Sequence, residues 1–321
     1  MAKFLVTGGA GFIGSHFCDV ALQKGHQVVA FDDLSTGLEI FLTEAKKNPN
    51  FRLAVGDIRE YSQISDVANN FKPDWVIHFA ANADVRRGLE RPRRDLEYNT
   101  IGTWNVLDAT QKSGCKNFLF SSTGSVYGEP EVFPTPETCP FPIQTSLYGA
   151  SKAAGEGLIS AYSMGFGMNS VVFRFVSIMG PRYTHGHVFD FAKRLRQDSS
   201  TLAILGNGKQ LKSYLHIEDL MKGIWLTIES KPTGFNVYNI GHDDALTVDQ
   251  SVNYICEYLK INPKRTYSGG ERGWVGDSPR IQLDTSKLKK LGWSAKHSLE
   301  KAVKDTIGYL TENSHLLNRI D

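Results

Sequence analysis

The stretch TGGAGFIG, residues 7 to 14, closes an apolar, β-prone run that starts at Lys3 and opens onto residues with helical character. In that setting the glycines have separate tasks. Gly8 permits a tight turn, Gly11 lets the backbone approach a pyrophosphate, and Gly14 lets the following helix lie close on the strand. The helix amino terminus, with Phe12 and Ile13 in its first turn, offers free N–H groups and a positive dipole end to phosphates. A glycine triplet alone fits any mobile turn, but this one sits at the first strand-to-helix junction, and an acidic pair, Asp32-Asp33, ends the next β-rich run. A carboxylate at Asp32 accepts hydrogen bonds from a ribose 2′-hydroxyl and repels a 2′-phosphate, which predicts NAD over NADP. Asp57, followed by Ile58, closes the third run; it can reach an adenine edge or cap the next helix.

Outward from this unit, short β-rich runs alternate with helical patterns: 3–7, 27–32, 51–55, 75–79, 117–121 and 170–175. They are apolar on both faces, as strands covered by helices on each side must be. The alternation predicts an α/β fold, a doubly wound parallel sheet of Rossmann type over residues 1–176. Beyond it the rhythm is less regular. A loop rich in Gly, Pro and His (179–187), a helix near 190–197 and short strands near 202–205 and 235–240 predict a smaller mixed α/β lobe over 177–321, with the chain crossing between lobes more than once.

The 36 Lys and Arg against 34 Asp and Glu give no general attraction for nucleic acid or acidic membranes. Cys18, Cys115, Cys139 and Cys256 are too widely spaced for a zinc knuckle or a dithiol pair, and suit idle thiols in a reducing compartment. The first apolar run meets glycine too soon for a signal peptide, and no stretch nears the roughly 18 apolar residues of a membrane span. The expected setting is the cytoplasm, without membrane partners.

The run 117–121 leads into SSTGSVYG, residues 121 to 128, and Tyr148-Gly-Ala-Ser-Lys152 follows. Tyr148 and Lys152 are four apart, on one face of a helix. A free phenol titrates near about 10 and is a poor base at neutral pH. A nearby ammonium and the charge of an oxidised nicotinamide are expected to lower it. Thr123, past a strand's carboxyl end, offers a hydroxyl that can share the proton with the phenol or polarise a carbonyl, at the end where open parallel sheets bind ligands.

With TGGAGFIG, GDIR (56–59), HFAANADVRRGLERP (78–92), Asn99 before Gly102-Thr103-Trp104-Asn105, SSTGSVYG, YGASK (148–152), GPR (180–182) and LHIEDL (215–220), the chain resembles, nearly end to end, the extended short-chain dehydrogenase/reductases acting on nucleotide sugars, and among them the UDP-glucose (UDP-galactose) 4-epimerases. The resemblance implies that Gly8, Gly11, Phe12, Ile13, Gly14, Asp32, Asp33, Asp57, Ile58, Ala80 and Asn99 line an NAD site with Tyr148 and Lys152. Thr123 and Tyr148 would handle the proton at sugar carbon 4, and Lys152 would hold the nicotinamide ribose. Family members keep NAD bound; the hydride leaves carbon 4, the 4-keto sugar rotates, and the hydride returns to the opposite face. A homodimer through helices near 100–113 and 149–163 is implied too. Ile101, Trp104 and Leu107 recur on the first at a spacing that suits either a buried interface or internal core.

Dehydratases of the family carry Asp-Glu after the threonine, and decarboxylating relatives carry Ser-Glu. Here Gly124-Ser125 follows, and neither side chain is a carboxylic acid. Ser125 either admits the sugar close to the strand end or handles a proton. Elsewhere the pattern departs. Ser177 replaces an asparagine that relatives use near the sugar or phosphate, which keeps an acidic sugar in view, while Ile281, smaller than tyrosine, leaves room for an N-acetyl group. Lys212 stands where an arginine is common, and Arg272 opens a diphosphate motif two residues longer than its relatives'. Ile281 falls at the pocket's gatekeeper position. His185 and His187 lack a further ligand cluster, so no metal is expected and their loop is read as closing over the nucleotide sugar. Arg86 and Arg87 can reach an anionic group or lie on the surface.

Overall fold

The computed structural model describes residues 1–85, 88–140, 143–274 and 277–318. Six strands follow the expected runs: β1 (Lys3–Thr7), β2 (Gln27–Asp32), β3 (Phe51–Val55), β4 (Trp75–His78), β5 (Asn117–Thr123) and β6 (Asn169–Phe175). They join one seven-stranded sheet in the order Phe235–Ile240, β6, β5, β4, β1, β2, β3, and the pairings of β1 with β2 and β4, β2 with β3 and β4 with β5 are parallel. The Phe235–Ile240 strand, expected in the smaller lobe, is therefore an edge of the main sheet. β5 runs two residues further than the sequence predicts, so Thr123 is its last residue rather than the first beyond it. The order reverses between β1 and β4, the switch point outside which doubly wound sheets bind ligands.

Helices α1 (Phe12–Gln23), α2 (Tyr61–Phe71), α3 (Pro92–Asp95), α4 (Thr103–Lys112) and α5 (Leu147–Phe166) accompany these strands. Between α3 and α4 the chain is a π-helix over Leu96–Gly102, a widened turn frequent at functional positions. Gly102 ends it because a Cβ there would lie 2.6 Å from Ile58 Cδ1. The Ile101, Trp104, Leu107 stripe divides: Leu107 is buried, whereas Ile101 and Trp104 are 44% and 42% exposed.

Two compact units share the chain. The first comprises residues 1–129, 140–174 and 225–238; the second comprises 130–139, 175–224 and 239–321. In the first, Phe17 stacks on Trp225 at 5.2 Å and meets Phe4 and Phe79 edge-on. In the second, Asp219 is fully buried and accepts the Lys296 and His297 N–H groups at 2.9 and 2.8 Å. No helix among the described residues is long and apolar enough to cross a membrane.

Phe17 is fully buried among these rings. Phe17→Ala is expected to destabilise the first unit by about 3–5 kcal/mol, read as a lower urea midpoint.

Candidate active site

The glycine loop begins where β1 ends. Gly8 holds φ +68°, a conformation that favours glycine, and a Cβ there would lie 2.6 Å from the Ala80 nitrogen just past β4. A Cβ on Gly14 would lie 2.1 Å from the Gly8 carbonyl oxygen. Gly11 is the N-cap of α1; no side chain caps that end and no acidic residue occupies its first turn. The first turn of the helix is therefore a place where an anion would meet backbone N–H groups. The loop fits a pyrophosphate on its own geometry.

Asp32 is buried, and its two carboxylate oxygens accept from Ala10 N and Leu34 N, each at 2.9 Å. Burial pushes its carboxyl up, and the two N–H bonds oppose the rise. Asp33 turns instead to the Ser35 hydroxyl and N–H. Asp57 does not cap α2, whose N-cap is Glu60. It grips Arg59 through two bonds of 2.9 and 2.5 Å; burial raises its carboxyl, but the Arg59 bonds outweigh that and hold it low. Arg59 in turn lies 4.2 Å over the Tyr98 ring. Asn105 donates to the Ile58 and Arg59 carbonyls at 2.8 and 3.0 Å, which fixes the segment behind Asp57.

Asn99, on the π-helix, is fully buried and serves as a hub. Its Oδ1 accepts from Asn82 N at 2.8 Å, and its Nδ2 donates to Ser151 Oγ at 3.1 Å and to Asp95 Oδ1 at 3.3 Å. Asp95 Oδ1 also accepts from Asn82 Nδ2 at 2.8 Å. Below them a buried His78 joins Thr7 and Thr103 at 2.6 and 3.0 Å, and burial, then the Lys152 charge, keeps it neutral.

Thr123 caps the turn Gly124–Tyr127. Its Oγ1 accepts the Ser125 N–H at 3.1 Å and lies 3.2 Å from Ser125 Oγ, so the two hydroxyls form a pair. Ser146 caps α5 by accepting the Gly149 N–H at 3.0 Å, which sets Tyr148 and Lys152 on its first turns. Lys152 is buried; its Nζ donates to the Ser121 carbonyl at 2.9 Å and lies 4.6 Å from the Phe120 ring centre. Burial lowers its ammonium to about 7. The Tyr148 phenol shows the opposite of the lowering expected from the sequence: burial pushes it up to about 12, a Thr123 hydrogen bond opposes the rise, and Asp95 adds to it. Desolvation of the phenolate is the largest influence on it, while the Lys152 ammonium one turn away directs one N–H at the Ser121 carbonyl.

Sequence reasoning missed the group beneath this pair. Glu156, one turn past Lys152, accepts the Ser122 hydroxyl and is held by Arg174 at 2.7 Å, all three residues being buried. Only the repeat of α5 positions 148, 152 and 156 hints at it.

In the second unit, Lys212 pairs with Asp277 and lies 4.9 Å from the Trp274 ring centre. Arg272 donates to the Asp277 carbonyl at 2.7 Å, so both expected diphosphate cations gather on one residue. Ile281 is the register partner of Lys212 across a parallel pair. Ser177 is exposed on the strand Ser177–Met179, which pairs with Tyr214–His216. His185 stacks on Tyr183, whereas His187 is bonded to Ser251 Oγ at 2.8 Å. Burial, then the Lys212 charge, lowers His187 to about 3. His216, Glu218 and His297 are grouped closely enough to suggest a metal. The Glu218 N–H donates to His216 Nδ1 at 3.2 Å, and His216 Nε2 lies 3.2 Å from Asp305. Arg86 and Arg87 lie outside the described residues.

Residues 4–241 match the model of the NAD dependent epimerase/dehydratase family. A putative UDP-glucose 4-epimerase of Methanocaldococcus jannaschii is 31% identical over 97% of this chain and 99% of its own. A UDP-glucuronate 4-epimerase of Thermodesulfobacterium geofontis is 30% identical over 100% and 99%. The crystal structure of Thermus thermophilus UDP-glucose 4-epimerase with NAD superposes with a TM-score of 0.86 at 30% identity, covering 96% of this chain and 99% of that one.

Overpacking costs about 1–3 kcal/mol, so Gly14→Ala is expected to weaken NAD binding in isothermal titration; unchanged affinity would separate the glycine contact from the cofactor. His187, neutral when folded, contributes stability that is present above its unfolded value near 6.5 and is lost as pH falls toward about 3. In His187→Asn the acid side of the Tm–pH curve should be flatter over that window.

Proposed function

The chain belongs to the NAD dependent epimerase/dehydratase family, and from that premise we propose that it inverts carbon 4 of a nucleotide-activated sugar, a UDP-hexose or its N-acetylated or uronic form, through a transient 4-keto sugar. NAD is its cofactor. The glycine loop, the α1 amino terminus, Asp32 and Lys152 would hold it, with Asp33, Asp57, Ile58, Ala80 and Asn99 around them. When bound, NAD supplies a reversible hydride acceptor.

The observation that carries the reading is the pair of hydroxyls at Thr123 and Ser125, with no carboxylic acid in the turn. Elimination of water needs a further acid and base. Of the two buried carboxylates beside the catalytic side chains, Glu156 is held by Arg174, whereas Asp95 is engaged by the Asn82 and Asn99 amides through Oδ1 alone, its Oδ2 having no hydrogen-bond partner among the described residues. What remains suits proton transfer at one alcohol. Tyr148 gives and takes that proton, Thr123 holds the phenol through its hydrogen bond, and Lys152 stabilises the phenolate when it forms. For substrate contacts we assign Ser125, Ser177, Lys212, Arg272 and Ile281, with Lys212 and Arg272 bringing the positive charge a diphosphate requires. The half-exposed apolar side chains of Ile101 and Trp104 favour a homodimer.

The protein as purified should interconvert carbon-4 epimers in a panel of nucleotide sugars followed by NMR, without net NADH. Loss of water or carbon dioxide instead would make it a dehydratase or a decarboxylase. Tyr148→Phe should lower kcat by about a hundredfold or more, and turnover at the wild-type rate would remove Tyr148 from the chemistry.

A further inference from the structure

One ion pair, remote from the reacting atoms, ties together the elements that carry them. Glu156 lies on α5 one turn past Lys152 and two past Tyr148, so the three side chains share a helix face. Arg174, near the end of β6, holds its carboxylate through Nε at 3.1 and 3.2 Å and Nη2 at 2.7 Å. The same carboxylate accepts the hydroxyl of Ser122, the residue before Thr123. The third arm of the guanidinium, Nη1, donates to the Tyr127 hydroxyl at 2.8 Å, and its carbon lies 4.8 Å from that ring centre. Tyr127 closes the turn that Thr123 opens. The segment from Thr123 to Val126 is thereby anchored at both ends to one ion pair, which also belongs to the helix of Tyr148 and Lys152.

Glu156 and Arg174 are 3% and 4% exposed. At that depth an ion pair contributes little net stability compared with an apolar pair of the same volume, so another role is called for. We propose that Glu156 and Arg174 are positioning residues, which set the Tyr148–Lys152 face of α5 in register with the Thr123–Ser125 turn, Glu156 also supplying the counter-charge of the buried Lys152 ammonium. The other ionisable groups around Lys152 are Asp95 and His78. Burial pushes the Asp95 carboxyl toward its neutral form and keeps His78 uncharged. Both carboxylates favour the Lys152 ammonium, Glu156 more strongly than Asp95, and Glu156 is the one fixed by an ion pair. Only the rate measurement below rests on the 4-epimerase reading.

Four variants test the pair: Glu156→Gln, Arg174→Met, their combination, and Arg174→Lys. For each, Tm, kcat on UDP-galactose and the Lys152 titration by 15Nζ NMR, assigned with Lys152→Met, are measured. Each neutralising single variant strands a buried charge and is expected to lower Tm, whereas the double variant strands none and should recover it. The double variant should nevertheless lose about a hundredfold in kcat, as misplaced groups do, and its Lys152 midpoint should fall by about one unit. Arg174→Lys keeps the charge but not the fork, so its kcat should fall while the Lys152 midpoint stays. A double variant with wild-type Tm, kcat and Lys152 midpoint would overturn the proposal, and so would Arg174→Lys at full rate. If the wild type epimerises none of the sugars, the functional reading fails separately. The Lys152 midpoint then decides: a fall in Glu156→Gln or in the double variant sustains the counter-charge role, and no movement ends it.

Discussion

The contact between Gly14 and the Gly8 carbonyl is the constraint on which the first unit depends. With a Cβ at Gly14 placed 2.1 Å from that oxygen, α1 can start where it does only because the atom is missing. Its start fixes the direction of its first N–H groups, and the same loop delivers the Ala10 N–H to Asp32. Strand, helix and carboxylate are thus one unit, and the Ala80 backbone closes on it from β4 through the space that Gly8 leaves. The geometry of this loop thus depends on none of Thr123, Tyr148 and Lys152.

The chemistry is set from the other side of the switch point. β5 delivers Thr123 and its turn, α5 delivers Tyr148 and Lys152, and the two meet in a setting that disfavours charge. Burial moves the phenol up and the ammonium down, so both groups lean toward neutral forms. A phenol raised in this way holds its proton more tightly than a free one, so a phenolate forms there only where a further positive charge favours it. Polar order around them is dense, with Asn99, Asn82, Asp95 and Ser151 bonded to one another.

Much of this was legible in the residues. The runs 3–7, 27–32 and 51–55 match their strands residue for residue; the first two are buried on both faces, whereas β3 is an edge strand with Arg52 and Val55 exposed. Glycines with a steric task and a Tyr–Lys pair at helical spacing are likewise local patterns. What could not be read was pairing across distance. Glu156 and Arg174 look like solvated charges in a helical or strand pattern, and only the fold shows that they are buried against each other. Asp277 engages Lys212 from 65 positions away. Asp57 reads equally as an adenine contact or a cap; α2 is capped at Glu60 instead, and Arg59 engages the carboxylate. The direction of the Tyr148 shift depends on desolvation, which no spacing reveals. The Phe235–Ile240 strand was placed in the wrong layer because a strand's sequence does not name its neighbour.

Asp32 has a further consequence. Its two oxygens are held by backbone N–H groups on opposite sides, from Ala10 and Leu34, so the carboxylate occupies one rotamer without any help from a ligand. A ribose arriving there freezes no side-chain torsion, and the entropy that recognition normally surrenders has already been given up during folding.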